Sequence, residues 1–528
     1  MKKIYIFILI ILLVVIVITP RLISKSDTLT YDSVSDTLDN YYIDLSNIDS
    51  SYDYNDSILT IKKSGNYYLT NELDGSIVIN SSGIVYLTLD NVTINSLTSY
   101  AINVTNASKV VINILDETVN TLSSTLINDE VNATIYSNSN LIITGCGNLN
   151  ITASDNGIYS KGYIQILSGN MNINSNNEGI KAKDYLAIKS GNININSNSN
   201  GIKVTSSDGY ILIDDANITI NSNNDAIEAY DITIESGVFN LTTKSSSESS
   251  KAIKASNLVT INGGEFYINS TDDSIHSNSS VIINGGTYTI SSGDDGIHAD
   301  NYLEINNGNI NIKNSYEGLE SSKITINEGT IYINSTDDGI NINSSSSDSI
   351  LTINGGYINV SADGDGLDSN NSILMTNGIV IVNGPVSDGD GAIDYDGTFK
   401  ITGGTLIASG SSGMLQGVST SSTQYSLTIN FGSKKEANSI VSIMDSDGEV
   451  LTFAPSKTYS SIVISTPSLN IGTYYIYVDG KSTSSSLDGV YELGGYSGTL
   501  YKTVDINSYV TTVGNIVNMP AMGGMKRR

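Results

Sequence analysis

Residues Asp272–Asp338 read DDSIHSNSSVIINGGTYTISSGDDGIHADNYLEINNGNINIKNSYEGLESSKITINEGTIYINSTDD, and the order of parts within this stretch decides the fold. An acidic residue, a small residue and an isoleucine come first, as in Asp295-Gly296-Ile297. An alternating apolar run with a glycine turn follows, Leu303-Glu304-Ile305-Asn306-Asn307-Gly308. A second short alternation, Ile310-Asn311-Ile312, closes the unit, which then begins again. The small residue falls at Gly157, Gly179, Gly201, Ala226, Ala252, Ser274, Gly296, Gly318, Gly339, Gly366 and Gly391, at intervals of 22, 22, 25, 26, 22, 22, 22, 21, 27 and 25 residues. A fixed period in the twenties marks a solenoid. The Leu-x-x-Leu-x-Leu frame of a leucine-rich repeat is absent. Short β-branched strands with Gly, Asn and Asp at the corners predict an all-β chain, a parallel β-helix with coils of about 22 residues.

Stacked coils repeat at the inter-strand spacing of ~4.8 Å, so equivalent side chains form columns. Ile158, Ile180, Ile202, Ile227, Ile253, Ile275, Ile297, Leu319, Ile340, Leu367 and Ile393 are expected to make one internal column. Beside it, Asn156, Glu178, Asn200, Asp225, Lys251, Asp273, Asp295, Glu317, Asp338, Asp365 and Asp390 are expected to make an outer column at the turn. The residue after the internal one gives a third, outward column: Tyr159, Lys181, Lys203, Glu228, Lys254, His276, His298, Glu320, Asn341, Asp368 and Asp394. It is basic towards its N-terminal end and acidic towards its C-terminal end.

The chain has 528 residues and a net charge of −28, a balance that repels nucleic acid and favours cations. Its length alone would suggest several domains, but a solenoid grows in one dimension. The single cysteine, Cys146, excludes an intramolecular disulfide and is expected to be a small half-buried residue at a strand turn. One cysteine and two histidines, His276 and His298, cannot assemble a thiolate zinc centre. No Gly-x-Ser-x-Gly elbow is present to suggest serine hydrolase chemistry.

Residues 1–27 carry Lys2 and Lys3 before an apolar run from Ile4 to Thr19, then Pro20 and Arg21. There is no small-residue cleavage site and no lipobox cysteine. The segment reads as an uncleaved signal-anchor, or else a cleaved signal peptide, and either places the rest of the chain outside the cell, at the cell surface. Residues 28–56 are expected to be a linker. Irregular first coils are expected from 57, with an excursion over 116–132, and the β-helix is expected to run to 420. Ser245–Ser250 and Ser344–Ser349 read as loop tips. Longer strands after 420 with Asp447-Gly448 and Asp479-Gly480 turns predict a small antiparallel β unit over 421–517. A disordered tail is expected over 518–528.

The chemistry is expected at the acidic turns: Asp272, Asp273, Asp294, Asp295, Glu317, Asp337, Asp338, Asp365, Asp368 and Asp390. Carboxylates stacked ~5 Å apart repel unless a proton or cation lies between them, and Ca²⁺ with its six to eight oxygen ligands suits the place. The competing reading is plain Asp-Gly turn chemistry. Lys181, Lys203, Lys254, His276 and His298 are the candidates for holding an acidic sugar chain, set against a solvated face. Two histidines one coil apart also have a spacing that can bind a metal, given further ligands. Tyr159, Tyr185, Tyr230, Tyr302 and Tyr316 fall near corners, where rings can stack on sugars.

Several of these strings carry a resemblance. Asp294-Asp295-Gly296-Ile297-His298-Ala299, the Ile283-Asn284-Gly285-Gly286 strand end, Tyr316-Glu317-Gly318-Leu319-Glu320-Ser321 and Asp337-Asp338-Gly339-Ile340-Asn341 resemble bacterial carbohydrate-binding-domain-containing proteins with a pectate-lyase-like right-handed β-helix. The likeness spans roughly residues 58–515 and includes Ser461–Pro467 and Val510–Gly514. It implies binding to cellulosic and pectic polysaccharide, Ca²⁺ sites and a surface location, without implying lyase activity. This chain departs from it in lacking a lipobox, and in Lys251 and Ser274, whose coils are therefore expected to lack metal. The reading is an exported, membrane-tethered Ca²⁺- and polysaccharide-binding protein. Its rivals are a Ca²⁺-dependent pectate lyase, with Lys181, Lys203 or Lys254 as base, and a structural adhesin.

Overall fold

The computed structural model describes residues 31–32, 38–97, 99–125, 133–245 and 249–515. The expected signal-anchor, residues 246–248 of the Ser245–Ser250 tip and the expected disordered tail lie outside them. Among the described residues no helix is long and apolar enough to cross a membrane.

The strands stack in parallel into a β-solenoid of about 16 turns. Each regular coil has three strands. In one coil these are Ile297–Ala299 on the first face, Tyr302–Ile305 on the second and Asn309–Ser315 on the third. Each strand pairs in register with its counterpart one coil away, so Ile275 lies beside Ile297, and Ile297 beside Leu319. The internal column is present throughout, from Ile158 beside Ile180 to Leu367 beside Ile393. Its members are wholly or almost wholly buried, in one core that runs the length of the tube. Full burial of each such side chain contributes roughly 1.5–3 kcal/mol, which is why polar Asn and Ser can fill the outer positions of the same strands.

The three corners use different residues for different reasons. Between the second and third faces the chain takes a positive φ in most coils, at glycines such as Gly308 (132°) and Gly329 (111°), a conformation that L side chains rarely adopt. Between the first and second faces a buried serine turns back on the backbone, as where Ser277 Oγ accepts the Ser279 amide at 3.1 Å. Between the third and first faces a Cβ on Gly179 would lie 2.6 Å from the Gly201 carbonyl of the next coil. This close approach explains the run of small residues that sets the period.

Three expectations are corrected. Residues 28–56 are not all linker: Asn40–Asp44 pairs in parallel with Gly65–Leu73, and Asp53–Asn55 forms an antiparallel pair with Ile58–Ile61. The Tyr41–Tyr67 and Tyr42–Tyr68 rings stack at 4.7 and 4.8 Å and help cover the first coil. Within the supposed excursion, Val119–Ser124 is a regular third-face strand beside Asn148–Ala153. Cys146 is exposed, because the turn points it out of the wall.

After 420 the chain does two things. Tyr459–Ser465 runs antiparallel to the last third-face strand, Thr405–Gly410, and to Ser426–Lys435, which pairs in turn with Val510–Val513. That part extends the solenoid wall. Val441–Met444, Glu449–Phe453, Gly472–Ser482, Ser486–Leu487, Val490–Tyr491 and Tyr496–Ile506 form a separate six-stranded antiparallel sheet.

Candidate functional site

The corner between the third and first faces carries the acidic column, and its side chains are not outward. Asp225, Asp273 and Asp295 are each under 5% exposed. Their burial has a backbone cause. One side-chain oxygen accepts the amide of the corner residue in the next coil: Asn156 from Glu178 at 3.2 Å, Asp225 from Lys251 at 2.8 Å, Asp273 from Asp295 at 3.0 Å, Asp295 from Glu317 at 3.3 Å, Asp338 from Asp365 at 2.7 Å and Asp365 from Gly391 at 2.5 Å. A buried amide left without an acceptor costs about 1–3 kcal/mol, so Asp and Asn are favoured here whatever else the site does. The second carboxylate oxygen remains available.

What that second oxygen meets changes along the molecule. In the N-terminal part lysine is at hand, for Asp225 on that second oxygen and for Glu178 and the outward Glu228 on a carboxylate oxygen. Lys181 Nζ is 3.4 Å from Glu178, Lys203 is 2.7 Å from Glu228, and Lys254 is 3.3 Å from Asp225. Lys251 lies 2.6 Å from Asp273 and 3.0 Å from Asp272. Lys251 therefore stands in the corner column as a buried counter-ion to the next coil. Burial works against both charges of the Lys251–Asp273 pair. The His276 hydrogen bond and the lysine charge nonetheless hold the Asp273 carboxyl far below its usual range, while Asp273 and Asp272 hold the lysine up.

The outward column lies on the first face in the expected register, from Tyr159 beside Lys181 to Asp368 beside Asp394, and is extended by Tyr136 beside Tyr159. At this end it is aromatic and basic. The Tyr100 and Tyr136 rings lie 5.0 Å apart, and Tyr136 and Tyr159 lie 5.6 Å apart. Lys161 sits over Tyr136 at 5.7 Å and Lys181 over Tyr159 at 5.4 Å. Sequence reading missed Tyr136 because its coil precedes the clear repeat, and Lys161 because it lies in the turn after Asn156–Ser160, outside the columns. A second stack, Tyr163–Tyr185–Tyr210, runs along the second face with rings 4.7 and 4.9 Å apart. Tyr159, Tyr185, Tyr230 and Tyr302 are half-buried, whereas Tyr316 is exposed.

The histidines mark the middle. His276 is buried, with Nδ1 2.8 Å from Asp273 and Nε2 2.9 Å from Asn278, so both ring nitrogens are engaged. His298 is half-buried, with Nδ1 facing Asp295 at 3.0 Å and Glu320 at 3.2 Å.

Beyond Glu320 the column is acidic. One ligand atom from each of Asp338, Asp365 and Asp368 lies within 4.8 Å of the others. Among the described residues no lysine, arginine or histidine is in ion-pair range of these three or of Asp394. Burial, reinforced by neighbouring carboxylates, pushes Asp338 up to about 7 and Asp365 and Asp368 up to about 8. Asp394 is raised as well, again chiefly by burial. Glu317 is pushed up to about 9 by burial and the nearby Glu320 and Asp295 charges, although Asn341 Nδ2 donates to it at 2.9 Å. Asn341 is buried, at 8% exposure, and its Oδ1 has no hydrogen-bond partner. It sits in register between Glu320 and Asp368. Three carboxyl groups, with the Asn341 side chain in register beside Asp368, offer hard oxygen donors of the kind Ca²⁺ takes.

The other expected acids divide. Asp272, Asp273, Asp294 and Asp295 belong to the histidine-lysine region, where Asp272, Asp273 and Asp294 come within 4.8 Å of one another. Asp294 is raised by burial and by Asp273 and Asp272. Glu317 bridges the two regions. Asp337 is half-buried beside Asp338, and Asp390 is half-buried in the turn before Gly391.

A search of curated proteins finds no match. Among solved structures, a polysaccharide lyase-like protein from C. thermocellum, solved as a gadolinium derivative, is similar at 23% identity and a TM-score of 0.36, covering 51% of this chain and 99% of that one. A family model described as carbohydrate-binding domain-containing protein matches residues 55–296 and 295–483. These two matches take in nearly all of the solenoid and most of the antiparallel sheet, and the chain belongs to that family of carbohydrate-binding domain-containing proteins.

Proposed function

We propose that this chain is a polysaccharide-binding protein that uses the outward strip of its first face, with Ca²⁺ held in the acidic half of that strip. Family membership supports carbohydrate as the partner. The observation that carries the assignment to this face is its division. Tyr100 and Tyr159 offer half-exposed rings, packed on the buried Tyr136, beside Lys161, Lys181 and Lys203, an arrangement suited to sugar rings and to their carboxylates. The acidic half has no cation of its own among the described residues, and it has an orphan buried oxygen on Asn341. Asp338, Asp365, Asp368 and Asn341 would hold the ion, which would neutralise the stacked carboxylates and offer open coordination positions to an acidic or hydroxyl-rich polymer. On this reading the polymer is cellulosic or pectic, and the protein works at the cell surface, tethered by its N-terminal segment.

The test is co-sedimentation of the full chain with polygalacturonate and with cellulose, in Ca²⁺ and in chelator, while ultraviolet absorbance is followed for unsaturated products. Ca²⁺-dependent retention without an absorbance rise is expected. Tyr159→Ala and Lys181→Ala should each weaken retention by about fivefold, the size of one stacking or cation–π contact. An absorbance rise lost in Lys181→Ala or Lys203→Ala would make the chain a lyase. No retention on either polymer would remove the reading.

A further inference from the structure

We propose that Asp295, His298 and Glu320 form a binding site for a small transition-metal dication of the zinc or cobalt class, distinct in chemistry from the oxygen-only group at Asp338, Asp365 and Asp368. The first ground is an excess of acceptors. His298 Nδ1 faces Asp295 Oδ2 at 3.0 Å, Glu320 Oε2 at 3.2 Å and, further off, Asp273 Oδ2 at 3.9 Å. A ring nitrogen carries at most one hydrogen, which two carboxylate oxygens at those distances must share, and a proton so shared cannot satisfy both fully. A cation in place of that proton can.

The second ground is orientation. Asp295 Oδ1 is committed to the Glu317 amide at 3.3 Å, and Glu320 Oε1 accepts from Asn343 Nδ2 at 2.7 Å. Each carboxylate is thus anchored by one oxygen and aims the other at the same imidazole nitrogen. On the far side of the ring, His298 Nε2 is 3.5 Å from Asp300 Oδ1. A carboxylate behind the imidazole is the usual outer support of a metal-ligating histidine.

The third ground is size and donor type. The three ligand atoms lie within 4.8 Å of one another, and the two closest separations fit a centre with bonds of ~2.0–2.1 Å. Imidazole suits zinc, cobalt, nickel and copper, whereas Ca²⁺ takes oxygen. The neighbouring coil supplies a contrast. Asp273 and His276 have the same relative positions, but Asp273 already accepts from Lys251 at 2.6 Å, from His276 at 2.8 Å and from the Asp295 amide at 3.0 Å. With Lys251 in place that coil holds its own cation. The next coil carries Asp273 where a lysine would stand, so the lysine's charge is missing there and an ion can take its place. This inference does not depend on the calcium reading.

The experiment is titration of the full chain with Co²⁺ at neutral pH in saturating Ca²⁺, read by visible d–d absorbance, with Zn²⁺ as competitor. One Co²⁺ per chain with an imidazole-type spectrum, displaced by Zn²⁺ and not by Ca²⁺, is expected. His298→Gln should weaken binding by at least about a hundredfold, and the exposed Asp300→Asn by about tenfold while leaving the far-ultraviolet circular dichroism spectrum unchanged. The Asp300 variant decides the matter if the His298 variant does not fold. Failure of the wild type to bind Co²⁺, displacement by Ca²⁺, or unchanged affinity in the Asp300 variant would overturn the proposal.

Discussion

The two halves of the first-face strip share one backbone solution and carry opposite electrostatics. In the half up to Lys254, acids of the corner and of the strip pair with lysines, as in Glu178–Lys181, Glu228–Lys203 and Asp225–Lys254. In the half beyond Glu320, Asp338, Asp365 and Asp368 have no such partner among the described residues. The corner hydrogen bond, donated by the next coil's amide to side-chain Oδ1, is the same in both. The fold therefore requires an Asx oxygen at the corner, while the charge on the other oxygen is free to be paired, left open or spent on a ligand. Substitution by asparagine separates these roles, because it keeps Oδ1 and removes the charge.

The largest effect is expected from charging the open half. The folded pKa values of Asp338, Asp365 and Asp368, about 7, 8 and 8, lie above the ~4 of an unfolded carboxyl. Each group favours folding while protonated, in full below about pH 4, and that contribution is lost as pH rises through 7–8. Each unit of upward shift is worth ~1.4 kcal/mol once the group is charged. In chelator the thermal midpoint should fall between pH 5 and 8.5, and Ca²⁺ should restore it at the upper end. The double variant Asp338→Asn with Asp365→Asn should be more stable than wild type in chelator at pH 8.5 and should lose the Ca²⁺ response. A midpoint that is flat in chelator over that range would show that the two halves do not differ as described.

The same substitution should have the opposite sign in the paired region. Asp273→Asn keeps the acceptor for the Asp295 amide but strands Lys251, whose side chain is 11% exposed. Breaking a buried pair by removing one partner costs about 3–5 kcal/mol, and Lys251 retains Asp272 at 3.0 Å, so a loss of about 3 kcal/mol is expected by denaturant unfolding. Stabilisation instead would erase the distinction between the halves.

Much of this was legible in the chain and some was not, for identifiable reasons. The internal column from Ile158 to Ile393 could be read because a single period governs it, and pairing places it as expected. The outward column could be read from the same period. The corner acids were recognisable as turns but not as buried acceptors, since each hydrogen bond joins residues 22 to 27 apart and exists only once coils stack. Lys251 looked like a break in the acidic pattern, whereas it is the counter-ion of Asp273 in the following coil. Asn40–Asp44 escaped notice because one short strand at the end of a solenoid has no period to announce it.

A smaller effect tests the corner alone. Asn156→Ala removes the acceptor of the buried Glu178 amide without changing charge. A cost of about 1–2 kcal/mol is expected, with faster hydrogen exchange confined to coils around Gly157 and Gly179. Exchange that quickens equally in the C-terminal coils would mean that the ladder acts as one unit and that the halves cannot be treated separately.

The smallest effect belongs to the most repeated feature of the sequence. Asparagines on the third face form a ladder of side-chain amides, Asn172 to Asn150 at 3.0 Å, Asn194 to Asn172 at 3.0 Å and Asn196 to Asn174 at 3.1 Å, all in water. An exposed amide exchanges a neighbour for solvent at little net gain, and its strand partner already fixes the backbone. Asn194→Ala should change stability by less than about 0.5 kcal/mol. It should also leave polysaccharide retention untouched, because the third face is a separate wall of the tube from the first-face strip. Lost retention in that variant would move the binding surface off the first face and detach ligand recognition from the contrast between its halves. Unchanged retention, set beside a loss in Lys181→Ala, would show that repetition along this chain records the stacking of coils, and that recognition is written where the repeat is varied.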